Sequence, residues 1–390
     1  MKELLYWPEN DIRPVGGPRG YLYNLRAGLE RFEHEGLEVS YLPPSTMESN
    51  SIRKLLKDWT PTRFKNIKRL HKMMRYPTKT VVPRVNFDEF DIIHFHQVED
   101  LFFVREVLES YHGKVILTSH TPCAPQQEWL SRLDARDIAT HRVKLQQLDD
   151  VVAFAFDRAD CIMFPCPEAE GPYYHTWREY DSIHNKNISK YKYIYTGIDK
   201  CSVRQSRLDI RRKYDIPEED FVISYAGRHN RIKGYDRLIE ASPALLSDIH
   251  THVMVAGRAG AIPSPRNARW VEIGWTNDPY SIIAASDVFV LPNRETYFDL
   301  AMLEALSLGV PVVATNTGGN KVFSHLGPNG VLLVNEEEEL ADAIGGLRGM
   351  SNSERRYLGE LNRSIYEKYF TTDVFARNYV KLIESMFISK

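Results

Sequence analysis

The chain has 390 residues, 43% of them hydrophobic and 26% charged, with a formal net charge of −2. That length exceeds what one hydrophobic core organises well and predicts two domains of roughly 200 residues each. The composition excludes a disordered chain, and the charge balance excludes a global field for nucleic acid or membrane.

The N-terminal run MKELLYWPENDIRP reads as a short apolar strand closed by acidic and proline residues. It lacks the long apolar stretch of a signal peptide or membrane span, which predicts a cytoplasmic protein. The cysteines Cys123, Cys161, Cys166 and Cys201 form no CxxC pair, so they offer no zinc framework and fit a reducing compartment. Short β-branched or aromatic runs then recur at Leu4–Trp7, Leu37–Leu42, Asp91–His96, Val115–Ser119, Cys161–Phe164 and Tyr193–Thr196, each followed by a longer amphipathic stretch. After a charged segment near 199–215 the pattern restarts, with runs at Phe221–Tyr225, His252–Ala256, Val271–Ile273, Val288–Leu291, Val312–Ala314 and Val331–Val334. Such alternation predicts α/β architecture with two Rossmann-like doubly wound domains, whose ligands bind beyond the carboxyl ends of the strands. The domains expected are 1–203 and 204–370, followed by a terminal helix over 371–390 with Phe375, Tyr379, Leu382, Ile383 and Met386 on one apolar face.

Two stretches carry chemistry. In SYAGRHNRIKGYDRLIEA a strand ends at Gly227-Arg228 and a helix begins near Gly234, with Lys233 just ahead of it. Cations beside the free amides of a helix N-terminus suit a diphosphate; a solvated basic turn is the plain alternative. In VLPNRETYFDLAMLEALSLGVPVVATNTGG a buried strand leads through an acidic loop into a helix. Glu295 and Asp299 lie where a helix start favours acids, so capping accounts for both. Glu304, set among Ala301, Met302, Leu303, Ala305 and Leu306, calls for a partner or a ligand.

Together these stretches resemble family-4 retaining glycosyltransferases of the GT-B type (glycosyl transferases group 1). GRHNRIKG is similar to their Gly-Arg, four residues, Lys-Gly signature, and the second stretch to their paired-glutamate segment, Gly-x-Pro-Val-Val-x-T strand and Gly-Gly turn. The likeness continues through THVMVAGRAG, VEIGWTNDP and NGVLLVNEEEELADAI. It is looser in the first half, at VGGPRGYLYNL, DIIHFH, VILTSHTP and YIYTGID. The resemblance implies two domains facing a central cleft, with the terminal helix returning to the first. It implies a nucleotide-diphosphate sugar donor, a glycan, lipid-linked or protein acceptor, retention of anomeric configuration, and no metal or other cofactor. It places Arg228 and Lys233 on the donor diphosphate, Glu304 on the ribose, Gly17 on the phosphates from the first domain, and His120 on the transferred sugar or acceptor. Tyr297, Phe298 and Leu300 fall within the same donor segment. Gapless alignment puts Thr296 at the family's first glutamate, with Glu295 one residue early and Asp299 in place of a small glycine. Either Glu295 is the catalytic acid, or Thr296, Asp299 and backbone amides hold the sugar.

Other readings compete at particular residues. His94 and His96 share a strand face but lack a third ligand at useful spacing, so satisfied structural histidines are expected. Gly16-Gly17-Pro18-Arg19-Gly20 is not GxGxxG, which weakens a dinucleotide oxidoreductase, while an epimerase or phosphorylase of the same fold stays open. Between Arg53 and Arg84 eleven bases face one acid, Asp58. With Trp59, Phe64 and Tyr76 as stacking groups, that segment offers a nucleic-acid reading. Alternatively, Phe64, Ile67, Leu70, Met73 and Met74 form the apolar face of a basic helix, packed in the core or lying on the anionic inner face of a membrane.

Overall fold

The computed structural model describes residues 1–9, 12–14, 17–32, 36–42, 62–260, 262–335 and 338–387. The chain divides into two compact units: Met1–Arg19 with Glu33–Phe164 and Tyr173–Ile194, and Gly20–Phe32 with Pro165–Pro172 and Tyr195–Lys390.

In the first unit the strands are β1 (Lys2–Tyr6), β2 (Glu38–Tyr41), β3 (Ile92–Phe95), β4 (Lys114–Thr118), β5 (Cys161–Phe164) and β6 (Tyr191–Tyr193). They pair in parallel in the order β2-β1-β3-β4-β5-β6. Helices on both faces of a parallel sheet bury its strands from two sides, which is why Ile92, Ile93, Val115, Ile116 and Leu117 form unbroken apolar runs without exposure. The chain runs outward from β1 to β2 and returns across β1 to β3, so the topological switch of this sheet lies between β1 and β3.

The second unit holds β7 (Phe221–Ala226), β8 (Thr251–Ala256), β9 (Trp270–Gly274), β10 (Val288–Leu291), β11 (Val312–Thr315) and β12 (Val331–Val334). Their parallel order, β12-β11-β10-β7-β8-β9, is the Rossmann order, and its switch lies between β7 and β10. The strand runs expected from the sequence form strands in two doubly wound sheets, except that the run expected at Tyr193–Thr196 falls late: β6 is Tyr191–Tyr193, and only Tyr193 is shared.

Five helices matter below: α1 (Gly17–Arg31), α2 (Thr62–Met74), α3 (Tyr235–Leu245), α4 (Leu300–Leu308) and α5 (Thr372–Ser385). Within the second unit, α5 lies against α1. A Cβ on Gly28 would meet the Thr372 carbonyl oxygen at 2.5 Å, and the rings of Tyr21 and Phe375 are 5.0 Å apart. Arg31 fastens the contact, donating to Asp199 at 2.5 Å and to the Thr372 hydroxyl.

Helix α2 departs from expectation. Its buried residues are Asn66, Leu70 and Met73, whereas Phe64 is 59% and Ile67 38% exposed. Asn66 tolerates burial because its amide donates to Asp134 at 3.0 Å and its oxygen accepts from Arg69 at 3.2 Å. Tyr76 is 4% exposed and packs edge-on against Phe103 and Trp129, so it is not a stacking platform for a nucleobase. Trp59, and with it residues 53–61 of the basic segment, lie outside the described residues.

Candidate active site

The first loop of the second unit's switch follows β7. The Tyr225 hydroxyl donates to the Arg228 carbonyl oxygen at 2.9 Å, and Asn230 accepts the Lys233 backbone N–H at 2.9 Å. These bonds fold the basic residues of GRHNRIKG into one compact turn. Gly234 then takes φ +64° at the N-cap of α3, and no side chain caps that helix. Only glycine serves here, because a Cβ would lie 1.6 Å from the Pro292 carbonyl oxygen in the loop after β10.

That second loop carries the acids. Asp299 occupies the N-cap of α4, but its side chain makes no capping bond. The capping reading of Asp299 is corrected accordingly: its Oδ1 accepts from Lys233 Nζ at 2.5 Å, and its Oδ2 accepts from the Asn293 amide. Burial alone would raise the Asp299 carboxyl; Lys233 and Asn293, with Arg228 nearby, outweigh it and hold the group below the usual carboxylate range. One turn along α4, Glu304 faces the Tyr280 hydroxyl at 3.4 Å. Burial, with Asp299 adding repulsion, pushes the Glu304 carboxyl up to about 7 although Tyr280 opposes the shift. An acid and a cation–carboxylate pair therefore stand together beyond the ends of β7 and β10.

The remaining residues of the segment differ in exposure. Glu295, Tyr297 and Leu300 are partly exposed, whereas Thr296 and Phe298 are buried. The Gly-Gly turn explains the burial of Thr296. Gly318, at φ +46°, would place a Cβ 1.8 Å from the Thr296 carbonyl oxygen, and one on Gly319 would come within 2.3 Å of that of Tyr297. Leu300 in turn touches α1, since a Cβ on Gly20 would lie 2.8 Å from its Cδ1. Asn293, Asn230 and Tyr280 are site residues that sequence reasoning missed. Asn293 and Asn230 act from loops without periodicity, and Tyr280 reaches Glu304 from a separate helix, Pro279–Ala284.

In the first unit, Gly17 opens α1, and a Cβ added there would meet no atom within 4 Å. His120 lies just past β4, and its Nε2 is 3.1 Å from Nδ1 of His96. Burial lowers the His120 pKa to about 3, so it is a neutral hydrogen-bonding group near pH 7. His94 is satisfied structurally, with Thr118 Oγ1 at 2.8 Å and Glu3 Oε1 at 3.5 Å. Among the described residues no cluster of His, Cys, Asp or Glu could hold a metal ion.

Residues 220–348 match the family model described as "Glycosyl transferases group 1". A D-inositol 3-phosphate glycosyltransferase of Corynebacterium urealyticum is 26% identical over 290 residues, covering 68% of this chain and 65% of that protein. The O-antigen biosynthesis glycosyltransferase WclY of Escherichia coli is 24% identical over 210 residues, 51% of this chain and 57% of its own length. The matches thus span less than two thirds of these relatives. In fold, the chain resembles sucrose-phosphate synthase from Thermosynechococcus elongatus, with a TM-score of 0.69 at 17% identity over 100% of both chains. It also resembles Anabaena Alr3699/HepE, solved in complex with UDP-glucose, with a TM-score of 0.64 at 16% identity over 99% of this chain and 100% of that one.

Proposed function

We propose that the chain transfers a sugar from a nucleotide-diphosphate donor to a hydroxyl acceptor, a reading supported by the match of residues 220–348 to the glycosyl transferases group 1 model and by the likeness in fold to sucrose-phosphate synthase. The observation that carries this reading is the cluster of charged groups at the β7/β10 switch, where Lys233 is paired to Asp299 at 2.5 Å and Arg228 stands in the same turn. A diphosphate entering there meets two cations and the uncapped N-terminus of α3. Charge on the departing phosphate grows in the transition state, and those groups stabilise it without a divalent ion. Glu304 accepts from the ribose hydroxyls, and Gly17 admits the phosphates without a side chain. His120 hydrogen-bonds the transferred sugar or the acceptor. Glu295 or Thr296 faces the sugar, with Tyr297, Phe298 and Leu300 completing the donor segment.

In the transfer the anomeric carbon–phosphate oxygen bond breaks and a bond from the acceptor hydroxyl oxygen to the anomeric carbon forms. The hydroxyl proton passes to the leaving phosphate oxygen. Front-face attack of this kind retains configuration; a covalent glycosyl intermediate on the enzyme retains it too. UDP-sugars are the first donors to try, since a structural neighbour was solved with UDP-glucose. Acceptor-dependent release of UDP in excess EDTA, with a retained linkage by NMR, is the expected result. Activity that vanishes in EDTA and returns with magnesium or manganese overturns metal independence; UDP release without a glycosylated product favours an epimerase, and phosphate-dependent release of a sugar phosphate from a glycan without UDP favours a phosphorylase.

A second element of the reading concerns where the acceptor is met. Phe64 and Ile67 project from α2 among the exposed Arg63, Lys68, Arg69 and Lys72. Apolar side chains ringed by bases suit shallow, reversible attachment to an anionic leaflet. No described helix is long and apolar enough to cross a membrane.

A further inference from the structure

The charged cluster at the β7/β10 switch holds an anion of its own. Asp299 stands at the N-cap of α4, where an aspartate ordinarily caps its helix, yet its side chain makes no capping bond. It reaches across 66 residues of sequence to Lys233, whose Nζ donates to Oδ1 at 2.5 Å, while the Asn293 amide donates to Oδ2. Lys233 and Asn293 outweigh the opposing effect of burial and keep this carboxyl ionised near pH 7, whereas burial raises neighbouring Glu304 to about 7. Asp299 is therefore the standing negative charge beside Lys233, Arg228 and the uncapped N-terminus of α3. The resembled family carries a small glycine at this position, so the carboxylate distinguishes this chain.

The pair is built to open. Both side chains reach solvent, Lys233 at 26% and Asp299 at 17% exposure, so an incoming anion can approach them. A lysine ammonium carries three donors on a flexible stem and can turn from a carboxylate to a phosphate. Asp299 does not follow, because Asn293 retains Oδ2 when Lys233 leaves Oδ1. The carboxylate thus stays within reach of the ammonium and ready to recover it. While carboxylate and phosphate share one cation they repel each other, and the repulsion grows with the phosphate's charge. A free terminal phosphate carries about 1.5–2 negative charges near pH 7, and one esterified to a sugar carries about one. Transfer of the sugar therefore turns the bound nucleotide into the species that Asp299 opposes more strongly.

We propose that Asp299 is an internal counter-anion that competes with the terminal phosphate for Lys233, selecting the sugar-linked donor over the free nucleoside diphosphate and hastening release of that product. The proposal rests on the transferase reading above and adds a control on its donor site. Release of product limits turnover in many enzymes, so a group that weakens product more than donor raises the rate.

The test titrates the full chain in EDTA with UDP, GDP and ADP, each beside its glucose conjugate, and with inorganic pyrophosphate. The parent is compared with Asp299→Asn, Lys233→Ala and the double variant. Asparagine caps a helix as well as aspartate does, so the fold should hold; Asp299→Ser takes its place if the melting temperature falls. Asp299→Asn is expected to bind the preferred nucleoside diphosphate, and pyrophosphate, at least ~tenfold more tightly than the parent. Its gain for the glucose conjugate should be smaller. The gain should also shrink in the Lys233→Ala background, since the competition is for that ammonium. Unchanged or weaker binding in Asp299→Asn overturns the proposal, weaker binding meaning that the carboxylate holds Lys233 in place for the ligand. A gain of equal size without Lys233 overturns the competition, and an equal gain for diphosphate and conjugate overturns the role in release. If the parent binds a nucleotide through Lys233 while Asp299→Asn gains nothing, only this proposal fails. If neither parent nor Asp299→Asn binds any nucleotide or pyrophosphate, the donor-site reading fails on its own.

Discussion

At the scale of single residues, Glu304 is the group whose environment makes the sharpest statement. Its carboxyl is raised from an ordinary value near 4.5 to about 7, first by burial and then by Asp299. A raised acid holds its proton more tightly in the folded chain, so its contribution to stability is complete below about 4.5 and is lost as pH rises through about 7. Glu304→Gln removes this slope. Relative to the parent, the variant should gain on the order of 3 kcal/mol between pH 4.5 and 7.5, read by urea denaturation. Parallel stability curves for parent and variant would remove Glu304 as a strained, ligand-poised acid. The odd placement of an acid in an apolar helix was legible in the sequence because nothing else in that helix is charged. Its partner was not: Tyr280 approaches from a different helix, 24 residues away. The Lys233–Asp299 pair was hidden for the same reason, since its members are 66 residues apart and each has a sufficient local explanation as a basic turn and a helix cap.

At the scale of elements, the site depends on the loops after β7 and β10 touching through backbone. Gly234→Ala should therefore do more than its size implies. It adds a Cβ at positive φ, costing ~1–2 kcal/mol, and drives it into the Pro292 carbonyl oxygen, so the loops must separate. A lower melting temperature together with weakened UDP binding is expected; an unchanged melting temperature would mean that the loops do not meet in this way. The strands were legible because parallel sheets bury both faces, so runs such as Val288–Leu291 and Cys161–Phe164 stand out uninterrupted. Helix α2 was read less well. Apolar spacing joins Phe64 and Ile67 to Leu70 and Met73, but the core takes Asn66 instead, because Asp134 and Arg69 satisfy its amide. Periodicity identifies a stripe and does not weigh a polar residue whose partners come from elsewhere in the chain.

At the scale of the whole molecule, two sheets with different strand orders each place their loops at a switch point, and strand order could not be read from sequence because pairing is non-local. The near-neutral net charge hides a local concentration of bases on α2. Co-sedimentation with anionic vesicles should fall as salt rises and when Lys65, Lys68, Arg69 and Lys72 become Gln; equal recovery with neutral and anionic vesicles would leave α2 an ordinary solvated helix. The most direct test of the donor site is calorimetric titration of UDP, GDP and ADP into the full chain in EDTA, beside Arg228→Ala and Lys233→Ala. One nucleotide should bind the parent, and each variant should bind it at least ~tenfold more weakly, since a charge-assisted hydrogen bond contributes about 1.5–3 kcal/mol. Unchanged affinity in both variants, or no binding of any of the three nucleotides to the parent, would contradict the placement of a nucleotide-diphosphate donor at the β7/β10 switch.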